Sequence, residues 1–121
     1  MSRVIHFEIP ADNPERAIKF YSRVFNWKIE KWSGSQPYWL VSTGAKENPG
    51  IDGAIMERQE NRCVIDTVDV PSVDEFVEKI EASGGKIVVP KTTIPGMGYF
   101  AYFRDTEGNQ LGIMESDMTA K

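Results

Sequence analysis

The sequence predicts an α+β fold: two βαβββ modules whose curved mixed sheets surround a cleft, with the helices outside. Three observations carry this prediction. A period-two strand near the start runs into a capped helix, the same order returns in the second half, and the two halves share wording. "HFEIPADNPE" and "TVDVPSVDE" both read polar-apolar-acidic-apolar-Pro, then a cap, then a helix. An internal repeat constrains a fold more than any single element does. A ferredoxin-like sandwich is the alternative, but it uses fewer strands. The length of 121 residues suits one domain over 1–121, with modules of about 1–58 and 62–116 and a short tail at 117–121.

Residues 3–9 alternate. Ile5, Phe7 and Ile9 face one way, and Val4, His6 and Glu8 the other, the mark of a half-buried strand. Asn13 is suited to cap a helix and Pro14 to open its first turn, where no N–H is needed. Ala17, Ile18, Tyr21, Val24 and Phe25 then recur at helical spacing, so this helix should pack on the Ile5–Phe7–Ile9 face. Strand-like runs follow at 27–32, 37–43 and 50–58, the last two separated by the Gly- and Pro-bearing loop "GAKENPG".

The second half opens with a strand at 63–70. Ser72 and Glu75 have capping-box spacing, Val73, Phe76, Val77 and Ile80 form an apolar stripe, and Gly84–Gly85 supply the stop. Strands at 86–95, 98–104 and 109–116 complete the module. "DTEGN" turns the last two into a hairpin, and "GMG" at 96–98 reads as a bend before the seventh strand.

Composition narrows the function. Charged residues make up 26% and the net charge is −4, with no basic stripe, which argues against a nucleic-acid partner. No apolar run approaches the roughly 20 residues of a membrane span, and the start lacks the basic-then-apolar order of a signal peptide. Cys63 is the only cysteine, so no internal disulfide forms and a reducing, cytoplasmic setting is expected. No G-x-S-x-G appears, and an inert cysteine fits Cys63 better than a thiolate paired with His6.

Three stretches carry a family resemblance: "HFEIPADNPERAIKFYSRVFNW", "VDEFVEKIEASGGKIVVPK" and "GYFAYFRDTEGNQLGIME". Together they span almost the whole chain, which resembles the vicinal oxygen chelate superfamily of glyoxalase I, extradiol dioxygenases, and fosfomycin- and bleomycin-resistance proteins. The wording is most similar to small proteins related to lactoylglutathione lyase. The resemblance implies a homodimer and a divalent metal (zinc, nickel, cobalt or manganese). Its ligands would be His6 on the first strand, Glu57 near the end of the fourth and Glu115 near the end of the last. The chain departs from the family at the fifth strand. Where a histidine often stands, this sequence offers Ile65 or Thr67, and His6 is its only histidine.

His6 alternates with Ile5 and Phe7, so it is expected on the cleft side. Glu115 alternates with Met114 and shares a face with Leu111 and Ile113. An imidazole and two carboxylates suit a divalent transition metal. The glyoxalase-type chemistry implied by the resemblance has that metal polarise vicinal oxygens while a carboxylate, Glu57 or Glu115, takes a proton. Extradiol chemistry needs two histidines and fails here. Pockets are mostly apolar with a few polar groups, so Glu8, Trp39 and Tyr102 are expected to line a small-molecule site. The reading stays open between a metal-dependent lyase or isomerase for a small oxygenated substrate and a metal-free protein that binds or sequesters a small molecule.

Overall fold

A computed structural model describes residues 2–60 and 63–121, so the expected module limits at residues 1 and 62 lie outside the described residues. The chain divides into two compact units, His6–Val64 and the residues up to Ile5 with Ile65–Lys121. Each is built from a four-strand mixed sheet and one helix.

The first unit takes most of its first strand from β1 (Val4–Ala11), followed by α1 (Pro14–Phe25), β2 (Lys28–Lys31), β3 (Tyr38–Ser42) and β4 (Asp52–Glu57). The strand order is β2-β3-β4-β1, with β1 and β4 parallel and the other pairs antiparallel. α1 starts as predicted: Asn13 is extended and its side chain accepts the Arg16 N–H, and Pro14 follows. It ends at Asn26, which takes a left-handed conformation at φ 59 and donates its N–H to the Ser22 carbonyl. Ala17, Ile18 and Tyr21 of α1 pack on Phe7, Ile9, Ala11, Val41 and Ile55, and Tyr21 stacks on Trp27 at 5.2 Å. The predicted packing is realised for Phe7 and Ile9 with Ala17, Ile18 and Tyr21, whereas Ile5, Val24 and Phe25 are exposed and lie outside this cluster.

The second unit holds β5 (Ile65–Asp69), α2 (Val73–Ala82), β6 (Lys86–Ile94), β7 (Gly98–Arg104) and β8 (Gln110–Ser116). Its strand order β5-β8-β7-β6 has the connectivity of the first unit, again with the first and fourth strands parallel. The repeat read in the sequence is thus a repeat of topology. Ser72 caps α2 by accepting the Glu75 N–H, while the Glu75 carboxylate turns to Lys79 at 3.4 Å; one of the two capping-box bonds is present. Val73, Phe76, Val77 and Ile80 pack on Ala101, Phe103 and Ile113. β6 lies outermost, carries Pro90, and shifts register against β7 between Ile87 and Val89 and again between Val89 and Thr92. All ten predicted elements occur in order, with most strands one to three residues shorter than read and β1 extending to Ala11. Among the described residues no helix is long and apolar enough to cross a membrane.

Candidate functional site

Strand register decides which expected site residues share a face. In the parallel β1–β4 pair, His6 lies opposite Asp52 and Glu8 opposite Ala54. Phe7, Ile9 and Ala11 point to α1, so His6, Glu8 and Asp52 point away from it. On β3, Trp39 pairs with Ile55 and joins the α1-side cluster, which turns its neighbour Tyr38 to the His6 face.

On that face three side chains form a continuous chain. The Tyr38 hydroxyl donates to Glu8 Oε2 at 2.7 Å, and His6 Nε2 lies 2.8 Å from the same hydroxyl. A phenol has a single proton to give, so with it on Glu8 the Tyr38 oxygen accepts from His6 Nε2–H. This fixes His6 as the Nε2–H tautomer and leaves the Nδ1 lone pair as its basic site. The His6 and Tyr38 rings are nearly parallel, 17° apart, and Trp32 meets Tyr38 edge-on at 5.8 Å. Glu8 is buried, 7% exposed. A carboxylate at that depth persists only with hydrogen-bond donors around it.

Burial holds the His6 pKa below its ordinary value of 6.5, and the negative charges of Glu8 and Asp52 offset this only in part. The ring is therefore neutral at pH 7. Because the folded value is the lower one, the unfolded chain takes up the proton first as pH falls. The stability contributed by neutral His6 is complete above about pH 6.5 and declines below it until the folded-state value is passed. Thermal unfolding of the native chain and His6→Gln from pH 5 to 8 measures this. The native melting temperature should fall toward pH 5 more steeply than that of the variant. Asp105 and Asp117, lowered from 3.8 by hydrogen bonds from Asn109 and Thr119, titrate beneath this window.

Three expected site residues need correction. Glu57 lies opposite Ala11 at the exposed end of β4, on the α1 side, so it does not share a face with His6. Trp39 is part of the α1-side core rather than a pocket wall. Glu115 does share a face with Ile113, as alternation requires, but that face is packed on α2. Its Oε1 accepts the Val73 N–H at 2.9 Å, one of the first-turn donors that a helix leaves unpaired. Glu115 thus anchors the start of α2.

Tyr102 does lie on the face opposite α2, where its ring covers Gly112. A Cβ added at Gly112 would meet Tyr102 Cδ1 at 3.1 Å and Thr67 Oγ1 at 3.2 Å. Thr67, one of the two fifth-strand candidates, is opposite Gly112 in the β5–β8 register and is 8% exposed. That row presents a hydroxyl, a bare backbone and a phenol. The implied metal does not fit these donors. His6 offers a single lone pair at Nδ1, Glu115 serves α2, and among the described residues no three His, Cys, Asp or Glu side chains converge on a metal position.

The sequence reading missed Tyr38, the middle of the hydrogen-bonded chain. β3 carries apolar residues on both parities, Leu40 as well as Val41, so its sequence did not select between Tyr38 and Trp39; the burial of Val41 and the pairing of Trp39 with Ile55 do.

Comparison with known proteins agrees with the topology. A glyoxylase-like domain-containing protein of Didymella fabae is 29% identical over 113 residues, spanning 88% of each chain. A solved structure of Streptomyces coelicolor methylmalonyl-CoA epimerase in complex with 2-nitronate-propionyl-CoA superposes with a TM-score of 0.71 at 12% identity, covering 98% of this chain and 97% of that one. A Legionella pneumophila structure described as an NAD-dependent benzaldehyde dehydrogenase gives 0.64 at 18% identity, covering 93% and 98%. At these identities the two structures bear on the fold alone. The sequence profile of the Glyoxalase/Bleomycin resistance protein/Dioxygenase superfamily matches residues 3–113, and the chain belongs to that superfamily.

Proposed function

We propose that this chain binds a small oxygenated molecule without a metal, and that the His6–Tyr38–Glu8 chain is its polar recognition element. The observation that carries the reading is the engagement of His6 Nε2 by the Tyr38 hydroxyl, itself held by Glu8. A ligand meets a neutral imidazole whose remaining lone pair accepts, so the matching group on the ligand is a hydroxyl or amine donor beside an apolar body that packs on Trp32 and Tyr38. The metal-dependent lyase or isomerase drawn from the family pattern loses support because Glu57 and Glu115 serve other faces. The homodimer implied by the resemblance is retained; a solution mass of 13.7 kDa rather than twice that would remove it.

The test is metal uptake. After loading with zinc, nickel, cobalt and manganese and exhaustive dialysis, the native chain and His6→Ala should retain equal, substoichiometric amounts. One equivalent held by the native chain and lost in His6→Ala would overturn the metal-free reading. In parallel, ligands that raise the native melting temperature should lose that effect in Tyr38→Phe.

A further inference from the structure

A hollow of about 390 Å³ opens on the other side of the first unit, between the start of α1 and the ends of β1 and β4. The volume is in the range of small-ligand sites. Its apolar wall comes from Ile9, Ala11 and Ala17, with the rings of Phe20 and Tyr21 meeting edge-to-face at 5.2 Å. Phe20 is 56% exposed, a large aromatic surface left to water at the mouth of the hollow, whereas Tyr21 beside it packs into the α1-side cluster.

Two guanidinium groups line the same hollow. Arg58 is held in place: its Nε is 2.8 Å from Asp12 Oδ1, its backbone N–H donates to the Ala11 carbonyl, and its side chain is 21% exposed. Asp12 takes the Nε edge, and among the described residues the two terminal nitrogens have no other ion pair. They form a planar fork already oriented, the geometry that receives a carboxylate through two parallel bonds. Arg16, one helical turn before Phe20, adds a second cation with no ion pair among the described residues. Two positive charges against the one of Asp12 leave a single excess charge. A monoanion with a flat apolar body satisfies the charge, the fork and the rings together.

We infer that this hollow is a second binding site, separate from the His6 face, for an aromatic or conjugated monocarboxylate, with Arg58 gripping the carboxylate, Arg16 adding its charge and Phe20 stacking on the ring. Calorimetric titration with 2-naphthoate tests it, with neutral 2-naphthamide as the comparison. Saturable one-to-one binding of the acid is expected, at least tenfold weaker for the amide, and at least tenfold weaker for the acid in both Arg58→Met and Phe20→Ala. Tyr38→Phe, on the opposite face, should leave naphthoate affinity unchanged. Absence of saturable binding, equal affinity for acid and amide, or unchanged affinity in Arg58→Met and Phe20→Ala would overturn the inference. Loss of naphthoate binding in Tyr38→Phe alone would also overturn it, while leaving the proposal for the His6 face standing. Circular dichroism of each variant separates lost binding from lost fold, and Arg16→Gln supplies a surface variant should Arg58→Met fail to fold.

Discussion

Ile55→Ala is expected to cost about 3–4 kcal/mol of folding free energy, within the range for emptying a fully buried aliphatic site. Ile55 is 0% exposed and is central to the α1-side cluster, with Ala11 and Val41 beside it on the sheet and α1 above. Backbone strands on either side leave little room for collapse into the space, which places the cost above that of a surface-near truncation. Urea unfolding followed by tryptophan emission measures it directly, because Trp27, Trp32 and Trp39 all belong to the first unit. A midpoint shift equivalent to less than about 1 kcal/mol would mean that the cluster is not packed as described.

Gly98→Ala should act with similar force on the second unit, by a different mechanism. Gly98 has φ +151, a conformation that residues with a side chain rarely adopt, and an added Cβ would fall on the Glu115 carbonyl oxygen. Backbone strain and forced displacement together are expected to cost about 2–5 kcal/mol. The damage should spread to the start of α2, because the same Glu115 holds the Val73 N–H. Gly96→Ala is the control: its φ of +76 is also unfavourable, but nothing lies within 4 Å of an added Cβ, so only the conformational cost of about 1–2 kcal/mol remains. Helical circular dichroism in urea compares the two. Equal losses would remove the steric contact as the cause.

The elements were legible because each has a local cause. Asn13 before Pro14, Ser72 before an apolar stripe and the alternation of residues 3–9 act within a few residues of themselves, and the structure repeats them. The shared wording of the halves became a shared strand order for the same reason. Side-chain partnership at the site is not local. Glu57 and Glu115 were placed by their resemblance to family positions, yet each shares parity with a buried isoleucine two residues earlier, Ile55 and Ile113. That apolar neighbour marks the helix-packed face. What no single strand could show is why a carboxylate belongs there, since the Val73 N–H that holds Glu115 is 42 residues away. Tyr38 escaped for a related reason: Tyr38 and Trp39 are adjacent aromatics, and pairing with β4, rather than residue type, decides which one turns to His6.

The irregular course of β6 has a consequence for the protein in concentrated solution. A straight outer strand offers its free N–H and C=O groups as a template on which another chain can add. Pro90 withdraws one of those donors, the two register breaks interrupt the spacing of the rest, and Lys86 and Lys91 bring charge to the rim. A stray chain arriving there finds no continuous ladder to extend, so this border of the molecule is guarded against fibre growth by its own unevenness.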